Sequence, residues 1–322
     1  MTEAKQLYQD GIVTIEELQR IEQYEDTKPF SIHWELRLLL YIGILLLTSG
    51  IGILVYLNID TIGHQTILAA IAVAIGACFY YLFRNRQLYS DGEVKNISPL
   101  FDYIALLGCL LSATFVGYLQ FAYRLFGNQL WLATGLPAAL FLYCAYRFDH
   151  KGLLALGITG IAGTAGLSIT PRQLLNYNNF TDSGVLFTAL ALGVLLIVTA
   201  RYSDQRGIKR HFSFSYHNFA ATLLFVSCLA FLFYYPYKFI SFLLLAGLCF
   251  YFIKYAIAQQ SFLFLLYAAI YTYIGVTYLV FSVLLNNNYG EGAMMISMLY
   301  IILSCVGVIF FFVKYKTILR LR

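Results

Sequence analysis

Residues 219–257 read FAATLLFVSCLAFLFYYPYKFISFLLLAGLCFYFIKYAI, and this apolar stretch sets the fold class. Its only charged side chains are Lys238 and Lys254. A membrane-spanning helix needs about 20 mostly apolar residues, so the stretch is long enough for two spans. Pro236 favours a break between them, because proline lacks an amide donor and clashes with the preceding helical turn. We therefore predict two membrane-spanning helices here, joined by a turn at Pro236.

The same apolar character runs through the whole chain of 322 residues. Hydrophobic residues make up 60% and charged residues 11%, whereas a soluble domain is about 45–50% apolar and about 25% charged. This composition excludes a soluble enzyme, a nucleic-acid-binding domain and a disordered scaffold. Ten stretches qualify as spans: 38–57, 66–83, 100–121, 130–146, 152–170, 184–200, 219–236, 239–257, 261–285 and 293–313. We therefore predict an all-α polytopic transmembrane helix bundle of about ten spans.

The basic residues predict how the spans are oriented. With ten spans and a cytoplasmic N-terminus, 18 of the 21 Lys and Arg residues fall on the cytoplasmic side. The three on the outside are Arg124, Arg172 and Lys238. Since cytoplasmic loops of membrane proteins are enriched in Lys and Arg, we predict that both termini are cytoplasmic. This asymmetry also accounts for the net charge of +5, so the expected partner is the lipid bilayer and not a nucleic acid.

Residues 1–35 carry eight acidic side chains and are predicted to form a separate cytoplasmic helical hairpin, with the transmembrane bundle at 36–322. Thr14 and Glu17 have the spacing of a capping box, which satisfies backbone amides at a helix start. The helix that begins there places Ile15, Leu18 and Ile21 on one apolar stripe, and Leu7 lies in a short helix before it; these four are the candidate partner-binding residues of the hairpin. About 25 residues are too few to bury a core of their own. This apolar stripe is therefore expected to pack on the membrane domain, on lipid headgroups or on a partner protein.

Ionisable side chains are nearly absent from the predicted spans. Asp102, about one turn into the third span, is the main exception, and an ionisable residue inside a membrane is a candidate functional residue because a charge there is costly. The five His residues map to loops or span ends, and the sequence lacks His-Glu-x-x-His, Gly-x-Ser-x-Gly and Walker A motifs. We therefore expect no catalytic residues, no metal, no cofactor and no ion-coupled pump.

The fifth predicted span carries glycines at every third position. They are Gly157, Gly160, Gly163 and Gly166. Small residues on one side of a membrane helix let a neighbouring backbone approach closely. The pattern therefore predicts a central packing helix, with a hinge or a substrate-lining wall as the alternative.

The ninth predicted span carries Tyr267, Tyr271 and Tyr278 close to one face, with Thr277 nearby. Buried tyrosine hydroxyls usually find hydrogen-bond partners. We interpret these side chains as interhelical hydrogen-bonding groups, with an aromatic, partly polar pocket as the alternative.

Two stretches carry a family resemblance. The first runs L-x3-GI-x-T-x2-E-x3-I over residues 7–21 and is followed by Trp34 and Tyr41-Ile42-Gly43. The second runs Q-x2-Y-x3-G-x3-W-x5-P over residues 120–137. Together they resemble a bacterial family of predicted multi-pass membrane proteins of unknown function, over about the first half of the chain. The resemblance implies a multi-pass fold and the bacterial cytoplasmic (inner) membrane, but no reaction.

The second of these stretches also suggests a site. Gln120, Tyr123 and Trp131 lie where the third and fourth spans meet the outer face, and a polar amide near hydrocarbon needs a partner. The group is predicted to be a hydrogen-bonded corner that fixes the turn, or else the mouth of a ligand cavity.

These observations favour two functions, with an intramembrane enzyme as the third alternative. The first is a non-enzymatic scaffold or regulator that works with a partner, because an apolar hairpin stripe occurs without catalytic groups. The second is a transporter or flippase of a neutral or lipid-like substrate, suggested by the number of spans and their Gly- and Tyr-rich helices. A cavity for such a substrate would use the candidate residues Asp102, Gln120, Tyr123, Trp131, Gly160, Gly163 and Tyr271.

Overall fold

The computed structural model describes residues 14, 15, 17, 33–57, 63–94, 99–169, 181–286 and 290–319. Within them every regular element is helical, which confirms the all-α class. The ten α-helices there are α1 (His33–Leu57), α2 (His64–Arg84), α3 (Pro99–Tyr123), α4 (Leu130–Phe148), α5 (Lys151–Ile169), α6 (Ser183–Arg206), α7 (Ser213–Tyr234), α8 (Lys238–Gln259), α9 (Phe262–Asn286) and α10 (Gly290–Ile318). One turn of 3-10 helix, Arg210–Phe212, precedes α7.

Seven of these helices are long and apolar enough to cross a membrane. They are α2, α3, α6, α7, α8, α9 and α10. Helix α1 contains a shorter apolar helix, Leu38–Leu54, and α4 and α5 have 19 residues each. Each of the ten helices overlaps one of the ten predicted stretches. The protein is therefore a membrane protein with several candidate spans, while the count of about ten spans stays a prediction.

The helix ends follow the local sequence signals in most places. Helix α7 ends at Tyr234 and α8 begins at Lys238, so the predicted break at Pro236 is confirmed. The Asp182 side chain accepts a hydrogen bond from the Gly184 amide, 3.0 Å away, and caps the start of α6. The start of α7 differs from the prediction, because it lies six residues earlier, at Ser213.

The chain divides into two compact units, of which the first is Met1–Ile53. Near its start the Glu17 carboxylate accepts hydrogen bonds from the Thr14 amide at 2.9 Å and the Thr14 hydroxyl at 2.8 Å. Glu17 thus reaches back to residue 14 as a capping box requires, and these bonds lower the pKa of its carboxyl. Ile15 is exposed in this unit. Leu7, Leu18 and Ile21 lie outside the described residues, so the hairpin stays a prediction.

The second unit, Leu54–Arg322, is built around α7. This helix contacts α5, α6, α8 and α9. Its Phe225 is buried in a cluster with Phe252 of α8 and Phe264 of α9. Helix α10 differs from α7 in burial. No residue of its apolar span is buried, although this span is the most hydrophobic of the seven. Hydrogen bonds from Tyr273 to Ser304 and between Thr277 and Tyr300 join it to α9.

Candidate functional site

Three connections of the second unit meet at one end of its helices. They are residues 85–94 after α2, residues 149–150 between α4 and α5, and residues 207–212 between α6 and α7. Two of them turn through left-handed residues, Asp149 with φ 57° and Lys209 with φ 49°. These turns bring the two side chains together, and we call the resulting group the Asp149 junction.

The Asp149 carboxylate is the centre of this junction and its side chain is only 3% exposed. It accepts a hydrogen bond from the Val94 amide at 2.5 Å and pairs with the Lys209 ammonium at 3.0 Å. Its second oxygen contacts Nε2 of His211. The Asp149 carboxylate therefore binds to the 85–94 and 207–212 connections, and the Lys209 ammonium compensates its charge.

Lys209 is as deeply buried as its partner, with 2% of its side chain exposed. Its ammonium donates a hydrogen bond to the Gly92 carbonyl at 3.2 Å and lies 5.3 Å from the centre of the Tyr89 ring. Its backbone amide donates to the Asp91 carbonyl at 2.7 Å. A buried charge is tolerated when it is paired and hydrogen-bonded, so these contacts explain how a lysine fits into this interior.

Two further contacts surround the junction, one exposed and one partly buried. Lys151 and Glu93 form an ion pair of 2.9 Å with about half of each side chain exposed. Hydrogen bonding to Lys151 lowers the pKa of the Glu93 carboxyl. Arg147, in the last turn of α4, donates from Nη1 to the Gln87 carbonyl at 3.2 Å. The 85–94 connection is therefore held at several points along its length.

A second polar group lies at the start of α7, next to the junction. The Ser213 hydroxyl donates to the Asp204 carboxylate at 2.7 Å, and Nδ1 of His217 donates to the Ser213 carbonyl at 2.9 Å. Nε2 of His217 is 3.1 Å from the Tyr251 hydroxyl, and its ring stacks 3.9 Å from that of Tyr255. The Ser213 hydroxyl is also 3.5 Å from Nδ1 of His217, but the closer Ser213 carbonyl can only accept, so the geometry favours a proton on Nδ1 and not a base for Ser213.

Asp102 has a partner that the sequence did not suggest. His150 caps the start of α5, because its Nδ1 accepts the Leu153 amide at 3.1 Å. Burial lowers the pKa of His150, and the charge of Asp102 opposes that shift. Asp102 is in the first turn of α3, as predicted. Because it interacts with His150, which follows Asp149 in the chain, Asp102 lies near the Asp149 junction.

The Gln120 side chain closes the turn between α3 and α4. Its Nε2 donates to the Gly127 carbonyl at 3.0 Å, and its Oε1 accepts the Phe126 amide at 2.9 Å. Tyr123 and Trp131 are exposed on either side of this turn. These are the contacts that a hydrogen-bonded corner requires. We call this group the Gln120 corner.

The glycines of α5 separate into two kinds. A Cβ atom on Gly160 would lie 2.7 Å from Cβ of Ala138, and one on Gly157 would lie 2.6 Å from Leu142, so α4 approaches α5 closely here. Gly163 has no such neighbour within 4 Å. The first two positions thus have the close contacts of a packing helix.

The tyrosines of α9 also lie in packed surroundings. The Tyr271 ring stacks on Phe225 of α7, with the ring centres 5.1 Å apart. The Tyr278 hydroxyl donates to the Phe233 carbonyl at 3.2 Å. Asp102, Gln120, Gly160 and Tyr271 therefore occupy four different environments in the described part of the chain.

The Asp149 junction is the polar group that sequence reasoning missed. Lys209 belongs to the basic residues that predict the orientation, His211 to the histidines of loops or span ends, and Asp149 to no predicted site, because no motif links the three. The available signal was weak, namely a charged residue in a two-residue connection between apolar helices. The sequence predicts His217 at a span end, but α7 starts earlier than predicted, so His217 is buried in the second turn of that helix.

Comparison with known proteins supports the membrane assignment. The family described as "Predicted membrane protein (DUF2157)" matches residues 5–154. The expected resemblance to a membrane family of unknown function is therefore confirmed over this part of the chain. No curated protein and no solved structure matches the chain.

Proposed function

We propose that this membrane protein is a non-enzymatic scaffold or regulator that works with a partner protein. The observation that carries the proposal is the buried ion pair between Lys209 and Asp149, which ties separate connections together at one end of the helices. A buried ion pair whose donors and acceptors are satisfied favours one arrangement of the chain. A fixed end of this kind suits a protein that positions another protein.

The group around Ser213 also supports a function without catalysis. Ser213 and His217 are buried, and the serine proton is directed to Asp204. A serine nucleophile needs a base within hydrogen-bond reach. Nδ1 of His217 is 3.5 Å from the Ser213 hydroxyl, but its shorter contact is with the Ser213 carbonyl at 2.9 Å, and the hydroxyl's shorter contact is with Asp204 at 2.7 Å. These contacts favour a structural role for the group.

The partner is proposed to bind the apolar stripe of residues 1–35. The experiment is chemical cross-linking in native membranes, followed by purification of the full chain and of a variant lacking residues 1–30. We expect at least one protein to be recovered with the full chain and lost with the variant, while both proteins have the same Tm. Identical sets of recovered proteins would contradict the role of this segment.

The orientation belongs to the same proposal, with both termini cytoplasmic in the bacterial cytoplasmic membrane. Its support is the basic character of the connections that meet at the Asp149 junction, which include Arg86, Lys209 and Arg210. Single cysteines at residues 60, 180 and 288, in a chain without its native cysteines, test it with an impermeant thiol reagent. Labelling of all three from outside is expected, and protection of all three would overturn the orientation.

A transporter or flippase of a lipid-like substrate is the second candidate. The observation that favours it is an apolar groove of about 440 Å³ between α8, α9 and α10. Its walls include Cys249, Ala269 and Thr272, and the Thr272 hydroxyl is buried there without a hydrogen-bond partner in the described part of the chain. Such a hydroxyl is available to a bound polar group.

This second function is tested by measuring transfer of a fluorescent phospholipid across vesicles that contain the purified protein. The variant Ala269→Phe fills the groove, and Ala72→Phe serves as a matched control at an exposed position of α2. A carrier predicts transfer above protein-free vesicles that is lost only in Ala269→Phe. The scaffold proposal predicts the same background rate for all three proteins.

A further inference from the structure

A second groove lies beside the Asp149 junction, on the surface of α4. Its volume is about 330 Å³, and it is lined by Tyr89, Leu142, Tyr143, Tyr146 and Arg147. Four of these residues come from the last two turns of α4, and Tyr89 comes from the connection after α2. The groove therefore has an aliphatic and aromatic wall with a single cation at the end of the helix.

The tyrosines of this groove differ in how they are held. Tyr89 and Tyr143 are 52% and 57% exposed, so their rings are accessible from outside. Tyr146 is fixed, because its hydroxyl lies 2.7 Å from that of Tyr216 and its ring packs edge-on against Phe212. A preformed aromatic wall loses little conformational entropy when a chain packs against it.

Arg147 supplies the charge of the groove. Its Nη1 donates to the Gln87 carbonyl, but a guanidinium has five donors in all. Among the residues that the structure describes, no carboxylate forms an ion pair with Arg147, since Asp149 pairs with Lys209 and Glu93 with Lys151. The positive charge is therefore not neutralised locally, and its remaining donors suit a phosphate, which guanidinium groups bind bidentately.

The cation and the apolar residues of the groove lie at different levels along α4, as the charged and apolar parts of an amphiphile do. Arg147 is in the last turn of α4, where the helix leaves its apolar stretch. Leu142 lies five residues earlier, which is about 7.5 Å further along the helix axis. A molecule with its anion on Arg147 would thus place its apolar part against Tyr143 and Leu142.

We infer that this groove binds an anionic phospholipid, with the phosphate on Arg147 and the upper part of one acyl chain along Tyr143 and Leu142. The charge of Arg147 favours a lipid of net negative charge over phosphatidylcholine, whose choline cation offsets its phosphate. The apolar wall favours a lipid over a free anion. The inference is independent of the proposed function, because a scaffold and a carrier both accommodate a bound lipid.

The test uses the purified full chain in detergent, titrated with dioleoylphosphatidylglycerol, with dioleoylphosphatidylcholine and with inorganic phosphate. Binding is read from the rise in Tm and from lipid retained in native mass spectrometry. Phosphatidylglycerol is expected to raise the Tm at concentrations where the other two have no effect. An equal rise with phosphate or with phosphatidylcholine would overturn the inference.

Variants locate the site. Arg147→Gln is expected to weaken phosphatidylglycerol binding about tenfold, as loss of charge-assisted hydrogen bonds does. Arg147→Lys is expected to weaken it less, because it keeps the charge and loses only the bidentate contact. The matched control is Arg206→Gln, which removes an exposed cation beside Tyr202 at the end of α6. Equal affinities of Arg147→Gln and Arg206→Gln would place the lipid elsewhere.

One further variant guards against misfolding of Arg147→Gln. Tyr143→Glu leaves the Arg147 contact with Gln87 intact and adds a negative charge to an exposed position of the groove. It is expected to weaken phosphatidylglycerol binding at least as much as Arg147→Gln. Unchanged binding by Tyr143→Glu would also overturn the inference.

Discussion

The two ends of α3 are stabilised by different chemistry. Asp102, at its start, lies near the Asp149 junction, where full charges are buried and join connections up to 117 residues apart in the chain. Gln120, near its end, uses a neutral amide to close a turn only six and seven residues away, at a partly exposed position. Long-range ionic contacts and local neutral contacts therefore serve the same purpose, which is to hold the connection between helices.

The difference has an energetic consequence. Breaking a buried ion pair leaves one charge without compensation in a poorly solvated place. Breaking a hydrogen bond in an exposed turn lets water replace the lost partner. We therefore expect the Asp149 junction to control the stability of the second unit far more than the Gln120 corner.

The largest effect is expected for Lys209→Met, which leaves Asp149 buried without its cation. The free energy of unfolding should fall by about 3–5 kcal/mol, measured by circular dichroism during denaturation in detergent micelles. Lys151→Met is the matched control, because it breaks the exposed pair with Glu93, and a change of at most about 1 kcal/mol is expected. Equal losses in the two variants would mean that burial does not distinguish these pairs.

The second largest effect is expected for Gly160→Ala, at the close contact between α4 and α5. In Gly160→Ala the new methyl group would lie 2.7 Å from Cβ and 3.3 Å from Cα of Ala138, so the helices must separate. Overpacking of this kind costs about 1–3 kcal/mol.

Gly163→Ala in the same helix is the control for this substitution. No atom lies within 4 Å of the new Cβ, and replacing a helical glycine by alanine stabilises by about 0.5–1 kcal/mol. The two substitutions should therefore shift the Tm in opposite directions. A parallel shift would show that close approach does not explain the glycine pattern.

A smaller effect is expected for Gln120→Leu at the other end. The variant loses two hydrogen bonds, but the turn is solvent-accessible, so we expect a loss of about 1 kcal/mol. Gln129→Leu is matched in side chain and lies just before α4, where the glutamine makes no capping hydrogen bond. Thermal unfolding of the two variants should differ by a few degrees, and a larger loss for Gln129→Leu would contradict the assigned contacts.

The smallest effect is expected from the pH dependence of the exposed Glu93–Lys151 pair. Hydrogen bonding to Lys151 lowers the pKa of Glu93 below its ordinary value of 4.5 in the folded protein. The pair therefore contributes stability above pH 4.5, and this contribution is lost as the pH falls through the folded-state pKa. Because the pair is exposed, the contribution is at most about 1 kcal/mol.

The measurement is the difference in Tm between the wild type and Glu93→Gln, followed from pH 7 to pH 3. The wild type should be slightly more stable at pH 7, and the difference should disappear at pH 3. A difference that grows on acidification would mean that the pKa of Glu93 is raised in the folded protein, which contradicts the assigned direction.

Several elements of the fold follow from local sequence. Every described helix overlaps an apolar stretch of the expected length, and the break at Pro236 lies where its missing amide places it. The contacts of Gln120 are also within reach of sequence reasoning, because the side chain and the turn that it closes are neighbours in the chain. In contrast, the six residues added at the start of α7 include polar side chains that lower the local hydropathy, and this hid the helical position of His217.

Composition over windows of about 20 residues was sufficient for the membrane environment, the all-α class and the approximate helix ends, because transfer of a helix into lipid depends on the sum of its side chains. Tertiary packing alone decided that Asp149, Lys209 and His211 form one junction, that His150 lies beside Asp102, and that Tyr271 stacks on Phe225. The physical reason is that the charge compensation of a buried side chain depends on which connections the packed helices bring together, and those connections are far apart in the chain.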